Sequence, residues 1–274
     1  MAHRPIITLT SDFGLNDHFV GAMKGVILDI VPEAAIVDIS HAVQAFDVLD
    51  GAIAISQAYS YFPVGTVHVV VVDPGVGTTR RPILASSDGY HFVAPDNGVL
   101  SMVYAKEERI HVRHITSEHY FHQPVSNTFH GRDVFAPVGA YLAKMVDSHK
   151  FGEEIEDYVK FAAPRPKPAG ENKIRAVVLK VDRFGNLITN VTPADIPALF
   201  SDNATTFKIT VGNKEITSIH TAYSEGEPGE IFGILGSMGY LEIAANRAAA
   251  AQLTGAGKGS EVSIVLGAAA GKGA

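Results

Sequence analysis

The chain has 274 residues, 46% of them hydrophobic, enough for one large domain or two ordinary ones with a sizeable core. Lys plus Arg is 22 against 29 Asp plus Glu, a net charge of −7, and no basic stripe stands out, which argues against a nucleic-acid partner. There is no cysteine, so disulfides, thiol catalysis and Cys-based metal sites are excluded. The opening MAHRPIITLTSDFG has no secretory pattern, and no apolar run reaches the ~20 residues of a membrane span. A soluble, cytoplasmic protein is expected.

The first 150 residues alternate strand and helix patterns. A strand is predicted at 6–10, ending in the polar turn SDFG. A helix is predicted from Asp17 to Ile30, with Phe19, Met23, Val26, Ile27 and Ile30 at three- and four-residue steps. A second strand is expected at 35–40. A helix should run from Asp47, a suitable N-cap, to Tyr61, before Pro63. The third strand, 66–72, contains the run Val69–Val72, which points to burial on both faces, as in a parallel sheet. Residues 82–95 read as a hairpin around Ser87-Asp88-Gly89, followed by a short helix after Asp96 and an amphipathic helix from Gly131 to Val146.

The composition changes in AAPRPKPAGEN, a Pro-rich linker at 162–173. Short strands are predicted beyond it at 174–181, 187–191, 207–211, 215–219, 230–235 and 262–266. The expected fold class is α/β. An N-terminal α/β layered domain (1–161) would have a largely parallel sheet, and a smaller, mainly antiparallel, β-barrel-like domain (174–268) would be followed by a flexible tail (269–274).

Carboxylates follow predicted strands at three places: Asp12, Asp73 in VVDPGVGTTRR, and Asp182 in KVDRFGN. Ligands of open α/β sheets bind at such strand ends, but Asp is equally a turn and cap residue. Asp73 and Arg80 stand seven residues apart across a glycine loop that lacks the Lys of a Walker motif, so pairing with each other or holding an anion are both open. In NTFHGRDVFAP, His130 could be a base, a donor or a structural residue, and Gly131 permits close approach of a ligand. Six of the twelve histidines fall between His91 and His130, but His111/His114 and His119/His122 lie in a strand-then-loop region where i,i+3 residues do not share a face. No metal is expected.

Together SDFG with Asp17, VVDPGVGTTRR, APDNG, TFHGRD-FAP, VDRFGNLITN and GSMGYLEIA-N resemble, in order and over about residues 5–266, the S-adenosylmethionine hydroxide adenosyltransferases, relatives of fluorinase and chlorinase. The resemblance implies hydrolysis of S-adenosyl-L-methionine to adenosine and L-methionine by water attacking the ribose 5′ carbon, with no cofactor. It also implies a homotrimer whose substrate lies between the N-terminal domain of one subunit and the C-terminal domain of its neighbour. Asp73, Arg80 and His130 would form the set that marks the hydrolase branch. The fluorinase has Tyr in place of both Asp73 and His130, Ser in place of Gly131, and an extra loop. Asp12 would bind the ribose hydroxyls. Asp17 and Asp182 would pair with the methionine ammonium and Ser237 with its carboxylate; the fluorinase has Arg where this chain has Met238. Phe46 would line the pocket, Phe129, Phe184 and Tyr223 would pack on adenosine, and Asn186, with the backbone near Ala245 and Arg247, would read the adenine. Rival expectations are a halide-using or promiscuous adenosyl transferase, a non-catalytic adenosine-binding protein, and a metal-dependent hydrolase.

Overall fold

The computed structural model describes residues 4–201 and 206–267, so the tail expected at 269–274 lies outside the described residues. The chain divides into two compact units after Ala163, inside the Pro-rich stretch.

The first unit contains β1 (Ile6–Ser11), α1 (Phe19–Ile30), β2 (Ala35–Ser40), α2 (Val48–Ala58), β3 (Val67–Val71), β4 (Pro82–Ser87), β5 (His91–Pro95), α3 (Ser101–Tyr104), β6 (Ile110–His114) and α4 (Ala136–Ala143). Its sheet has the order β2-β1-β3-β5-β4-β6. The β2–β1, β1–β3 and β3–β5 pairings are parallel, and the β5–β4 and β4–β6 pairings are antiparallel. The Val run of β3 is buried throughout, as its composition requires. Val67, Val69 and Val71 join the core under α1 and α4, and Val70 and Val72 join the core under α2 and α3. Burying each such valine contributes about 1.5–3 kcal/mol.

Local chemistry sets the ends of these elements. Asp47 caps α2 by accepting the N–H of Asp50. The 82–95 segment is the expected hairpin, with Ser87 N bonded to Tyr90 O across the turn. Two expectations need correction. The helix expected from Asp17 starts at Phe19. The helix expected over 131–146 opens instead as a π-helical turn, Gly131–Phe135, before α4. Pro137 has no N–H to give the Asp133 carbonyl, which accepts His122 N–H instead, so an ordinary α-turn is not closed there.

The second unit is mainly antiparallel: β7 (Lys167–Pro168), β8 (Lys173–Val181), β9 (Leu187–Thr189), β10 (Phe207–Val211), β11 (Lys214–Ile216), β12 (Ile219–His220), β13 (Ile231–Leu235), β14 (Leu241–Ala245), α5 (Ala250–Thr254) and β15 (Glu261–Leu266). The order is β11-β10-β15-β8-β9-β14-β13-β12, with β7 beside β8. β8 is the spine: its first half pairs with β15 and its second half with β9. The sheet curls until β11 meets β13, without hydrogen-bonded closure among the described residues. The single strand expected at 215–219 is two, β11 and β12. β14, which the sequence reading treated only as part of a motif, is a strand buried at all five positions.

Candidate active site

The parallel register brings two of the three strand-end carboxylates together. Ser11 pairs with Val71, so Asp12 and Asp73 leave adjacent strands at the same edge. Asp73 and Arg80 form a buried ion pair, their side chains 5% and 9% exposed. Arg80 Nε donates to Asp73 Oδ1 at 2.9 Å and Oδ2 at 3.0 Å, and Nη2 donates to Oδ2. The same Nη2 lies 2.9 Å from His130 Nδ1. Phe135, on the π-helical turn, lies under the guanidinium with its ring centroid 5.0 Å away. Arg80 Nη1 is buried with no hydrogen-bond partner among the described residues.

This geometry fixes the histidine tautomer. A guanidinium has only donors, so His130 Nδ1 accepts, and the neutral ring carries its hydrogen on Nε2. Burial, then the Arg80 charge, pushes the His130 pKa below the usual value and keeps the ring neutral. The cluster therefore offers two N–H donors, Arg80 Nη1 and His130 Nε2. Both Asp73 oxygens are taken by Arg80.

Two loops carry these groups. Thr78 Oγ1 donates to Gly75 O and accepts Arg80 N, closing the turn that aims Arg80. Gly77, at φ +76°, lies where a Cβ would strike the Asn127 carbonyl, so this turn is seated on the segment leading into His130. Gly131 is hemmed in by Met23, Phe129 and Phe13, each 3.2 Å from where a Cβ would stand.

Asp12 Oδ2 accepts the N–H of Phe46, which has φ 65° and is 74% exposed. Burial pushes the Asp12 pKa up, with Asp73 adding to the effect. Phe129 belongs to an aromatic core, edge-on to Phe19 at 5.1 Å and to Phe13 at 5.9 Å. Asp17 is exposed before α1, with no hydrogen bond among the described residues.

The second unit has its own cavity of about 800 Å³. Asp182, Phe184 and Asn186 enter from the β8–β9 turn, Tyr223 from the segment after β12, Ser237 and Met238 from the β13–β14 turn, and Ala245 and Arg247 from the end of β14. All eight second-unit positions expected from the sequence thus line one cavity. Asp182 acts there as a turn cap: Oδ1 accepts the backbone N–H of Phe184 and Asn186, and Oδ2 accepts Asn186 Nδ2. Lys180 and Glu242 also line the cavity, and the sequence reading gave neither a role.

Other motif residues turn out to hold the scaffold. Asp96 of APDNG pairs with Arg81 at 2.7 Å, and Asn97 Nδ2 holds Val72 O at the end of β3. Buried Asp133 accepts Ser126 N and Arg132 Nε. Among the described residues, no group of three or more His, Asp or Glu is placed to hold a metal, and no helix is long and apolar enough to cross a membrane.

A carboxylate–guanidinium–imidazole cluster at the carboxyl edge of a parallel sheet defines an α/β enzyme that works at its strand ends. Residues 7–152 match the SAM hydroxide adenosyltransferase N-terminal domain and residues 176–263 the C-terminal domain, and the chain belongs to that family. It is 42% identical over 202 residues to the (R)-S-adenosyl-L-methionine hydrolase of Methanocaldococcus jannaschii, covering 72% of this chain and 71% of the relative. It is 35% identical to the Salinispora tropica protein of the same name, covering 97% and 100%. The fluorinase of Nocardia brasiliensis is 30% identical, covering 96% and 98%. The crystal structure of an uncharacterized conserved protein from Thermotoga maritima superposes with a TM-score of 0.86 at 36% identity, covering 95% and 99%.

Proposed function

We propose that this protein hydrolyses S-adenosyl-L-methionine to adenosine and L-methionine. The observation that carries the reading is the contact Asp73–Arg80–His130. The sulfonium leaves as a neutral thioether, so the departing group needs neither acid nor metal. What the reaction needs is a water held in line with the C5′–S bond and made more nucleophilic. Arg80 Nη1 and His130 Nε2 supply two donors to its oxygen. Donors to the charged form lower the pKa of a bound water, so hydroxide is the attacking species and its proton leaves to solvent. His130 is then a donor and not the base, because a proton on Nδ1 would face Arg80. The balance is one water consumed and one proton released: the O–C5′ bond forms as the C5′–S bond breaks.

In the same reading Asp12 accepts from the ribose hydroxyls through the oxygen that Phe46 leaves free. Phe184 and Tyr223 flank the adenosine, and Asn186 presents its carbonyl oxygen to the adenine amine, its Nδ2 being held by Asp182. No cofactor takes part. A homotrimer, with the site completed by a neighbouring subunit, and a cytoplasmic location belong to the same proposal, supported by the family resemblance. The names of the hydrolase relatives specify the (R) sulfonium, and the same preference is proposed here.

The test is incubation of the purified protein with substrate in heavy-oxygen water, with chelator and without halide. Equimolar adenosine and methionine, with the label in the 5′ hydroxyl, is the expected result. No product, halide-dependent product, or loss of turnover with chelator refutes it. Separated epimers, compared by rate, test the (R) preference, and native mass spectrometry tests the trimer.

A further inference from the structure

The loop that carries Asp73 and Arg80 makes a crossing. β3 and β4 are not neighbours: β5 lies between them, parallel to β3 and antiparallel to β4. The chain leaving β3 must therefore pass the carboxyl end of β5, a gap of two inter-strand spacings or about 9.5 Å, before it enters β4. Asp73 stands at the start of this crossing and Arg80 at its end, and the two side chains meet across it.

Asp96 and Asn97, which leave β5 at that edge, hold both ends of the crossing. Asn97 Nδ2 donates at 2.8 Å to Val72 O, the carbonyl directly before Asp73. Asp96 Oδ2 accepts Nε at 2.9 Å and Nη2 at 2.7 Å from Arg81, the residue directly after Arg80. Asp96 N–H also donates to Arg81 O at 2.9 Å, so side chain and backbone grip the same residue. The support is stiff. Pro82 and Pro95 stand opposite each other beside it, each with a fixed φ. The Asp96 side chain is 3% exposed, and its Oδ1 accepts Val159 N–H at 2.7 Å. Asn97 Oδ1 accepts Val99 N–H at 3.1 Å. The adjacent arginines thus divide the work: Arg80 serves the site and Arg81 ties the loop to its support.

We propose that Asp96 and Asn97 are positioning residues for the reaction: they fix the span of the 73–80 loop, and through it the placing of Asp73 and Arg80 against His130 and the attacking water. They act through Val72 and Arg81, not through the reacting atoms. The consequence for rate rests on the hydrolase reading, whereas the hold on the Arg80–His130 contact does not.

The experiment compares two variants of the full-length protein with wild type. Asn97→Ala deletes the donor to Val72 O. Asp96→Asn puts an amide where both oxygens accept, so either Arg81 or Val159 N–H faces another donor. Each should lower kcat about tenfold to a hundredfold, the scale of a misplacement of about 1 Å, and leave KM and adenosine affinity within about threefold. A second readout needs no turnover: the His130 ring, titrated by nuclear magnetic resonance without substrate and assigned by its absence in His130→Gln. Burial and then the Arg80 charge lower the pKa of that ring, against Asp73 and Asp133, which raise it. A slackened loop draws Arg80 away, so in both variants the midpoint should rise toward the ordinary histidine value by about 0.5 pH or more. If the two residues merely support the fold, the melting temperature falls while kcat, measured well below melting, and the His130 midpoint keep their wild-type values; that result overturns the proposal. Should Asp96→Asn not fold, Asn97→Ala, the milder change at a half-buried residue, decides alone. Wild-type protein without turnover removes the hydrolase reading, and the His130 midpoint still decides the positioning: raised supports it, unchanged overturns it.

Discussion

Replacing Arg80 with Lys separates charge from geometry at the centre of the cluster. The formal charge is retained, and an ammonium can still reach the Asp73 carboxylate. What disappears is the fork: Nε and Nη2 together make three contacts to Asp73, Nη2 alone holds His130 Nδ1, and Nη1 is the unpartnered donor. Leaving the half-buried His130 Nδ1 without its donor costs about 1–3 kcal/mol. The same loss frees the ring to move its hydrogen to Nδ1, taking the Nε2 donor away. Loss of one preorganised donor at a developing or bound anion typically lowers kcat by about 10²–10³. The expected result is therefore a kcat reduced by at least about two orders of magnitude, with the melting temperature lowered only by the equivalent of about 1–3 kcal/mol. Product chromatography at saturating substrate measures the first, and differential scanning calorimetry measures the second. A variant with kcat within threefold of wild type would show that a point charge suffices, and the assignment of the guanidinium fork to water positioning would be wrong.

Asp12→Asn should weaken adenosine, measured by calorimetry, about tenfold to a hundredfold, because a charged acceptor for two hydroxyls becomes a neutral one. Because burial holds the Asp12 pKa above its unfolded value, ionising it disfavours folding. The penalty is absent below the unfolded pKa, grows as pH rises from there to the raised native value and is constant above it, so at neutral pH the same variant should melt no lower than wild type. A melting temperature several degrees lower would contradict this. Ribose binding needs the ionised acceptor, so adenosine affinity in the wild type should fall on acidification at a higher pH than an ordinary carboxylate would give. A bound-hydroxide mechanism predicts that kcat/KM rises with pH by tenfold per unit below the pKa of the bound water, and a flat profile argues for attack by neutral water. Gly131→Ser, the residue found in the fluorinase, should lower stability by about 1–3 kcal/mol, read as a shift in denaturation midpoint, since its Cβ presses on three side chains at 3.2 Å; an unchanged midpoint would mean that the pocket relaxes freely.

Much of this was legible in the residues because it depends on local rules. The Val run of β3 cannot avoid burial on both faces, Asp47 caps the next helix wherever that helix packs, and in Ser87-Asp88-Gly89 the Ser87 hydroxyl closes the turn locally by accepting the N–H of Gly89 and Tyr90. The Asp73–Arg80 contact was one of two open readings; the loop closed by Thr78 sets that contact, and Nη1 stays available for the other. Other features depend on the sheet. Glu242 escaped notice because a lone Glu in a short apolar stretch reads as an exposed position, and β14 is buried only because β9 and β13 flank it. The 215–219 strand divides because β11 pairs with β10 while β12 pairs with β13, partners no local pattern specifies. Asp182 was read as a ligand residue by resemblance and as a turn cap by composition; its hydrogen bonds make the cap, and the carboxylate still lines the cavity with acceptor capacity to spare.

The seating of Gly77 on the Asn127 carbonyl bears on how such a site can diversify. The strand-end loop that presents Arg80 and the stretch that delivers His130 are far apart in the chain, yet they share one backbone contact with no spare room. A change in either loop is therefore felt by the other. Drift at 77 alone, or remodelling of the 126–128 stretch alone, would part the guanidinium from the imidazole before any new nucleophile could be accommodated. Lineages exploring other chemistry from this scaffold would have to cross that barrier with paired replacements, so epistasis between the two loops, more than tolerance at single positions, would set the pace at which the site changes.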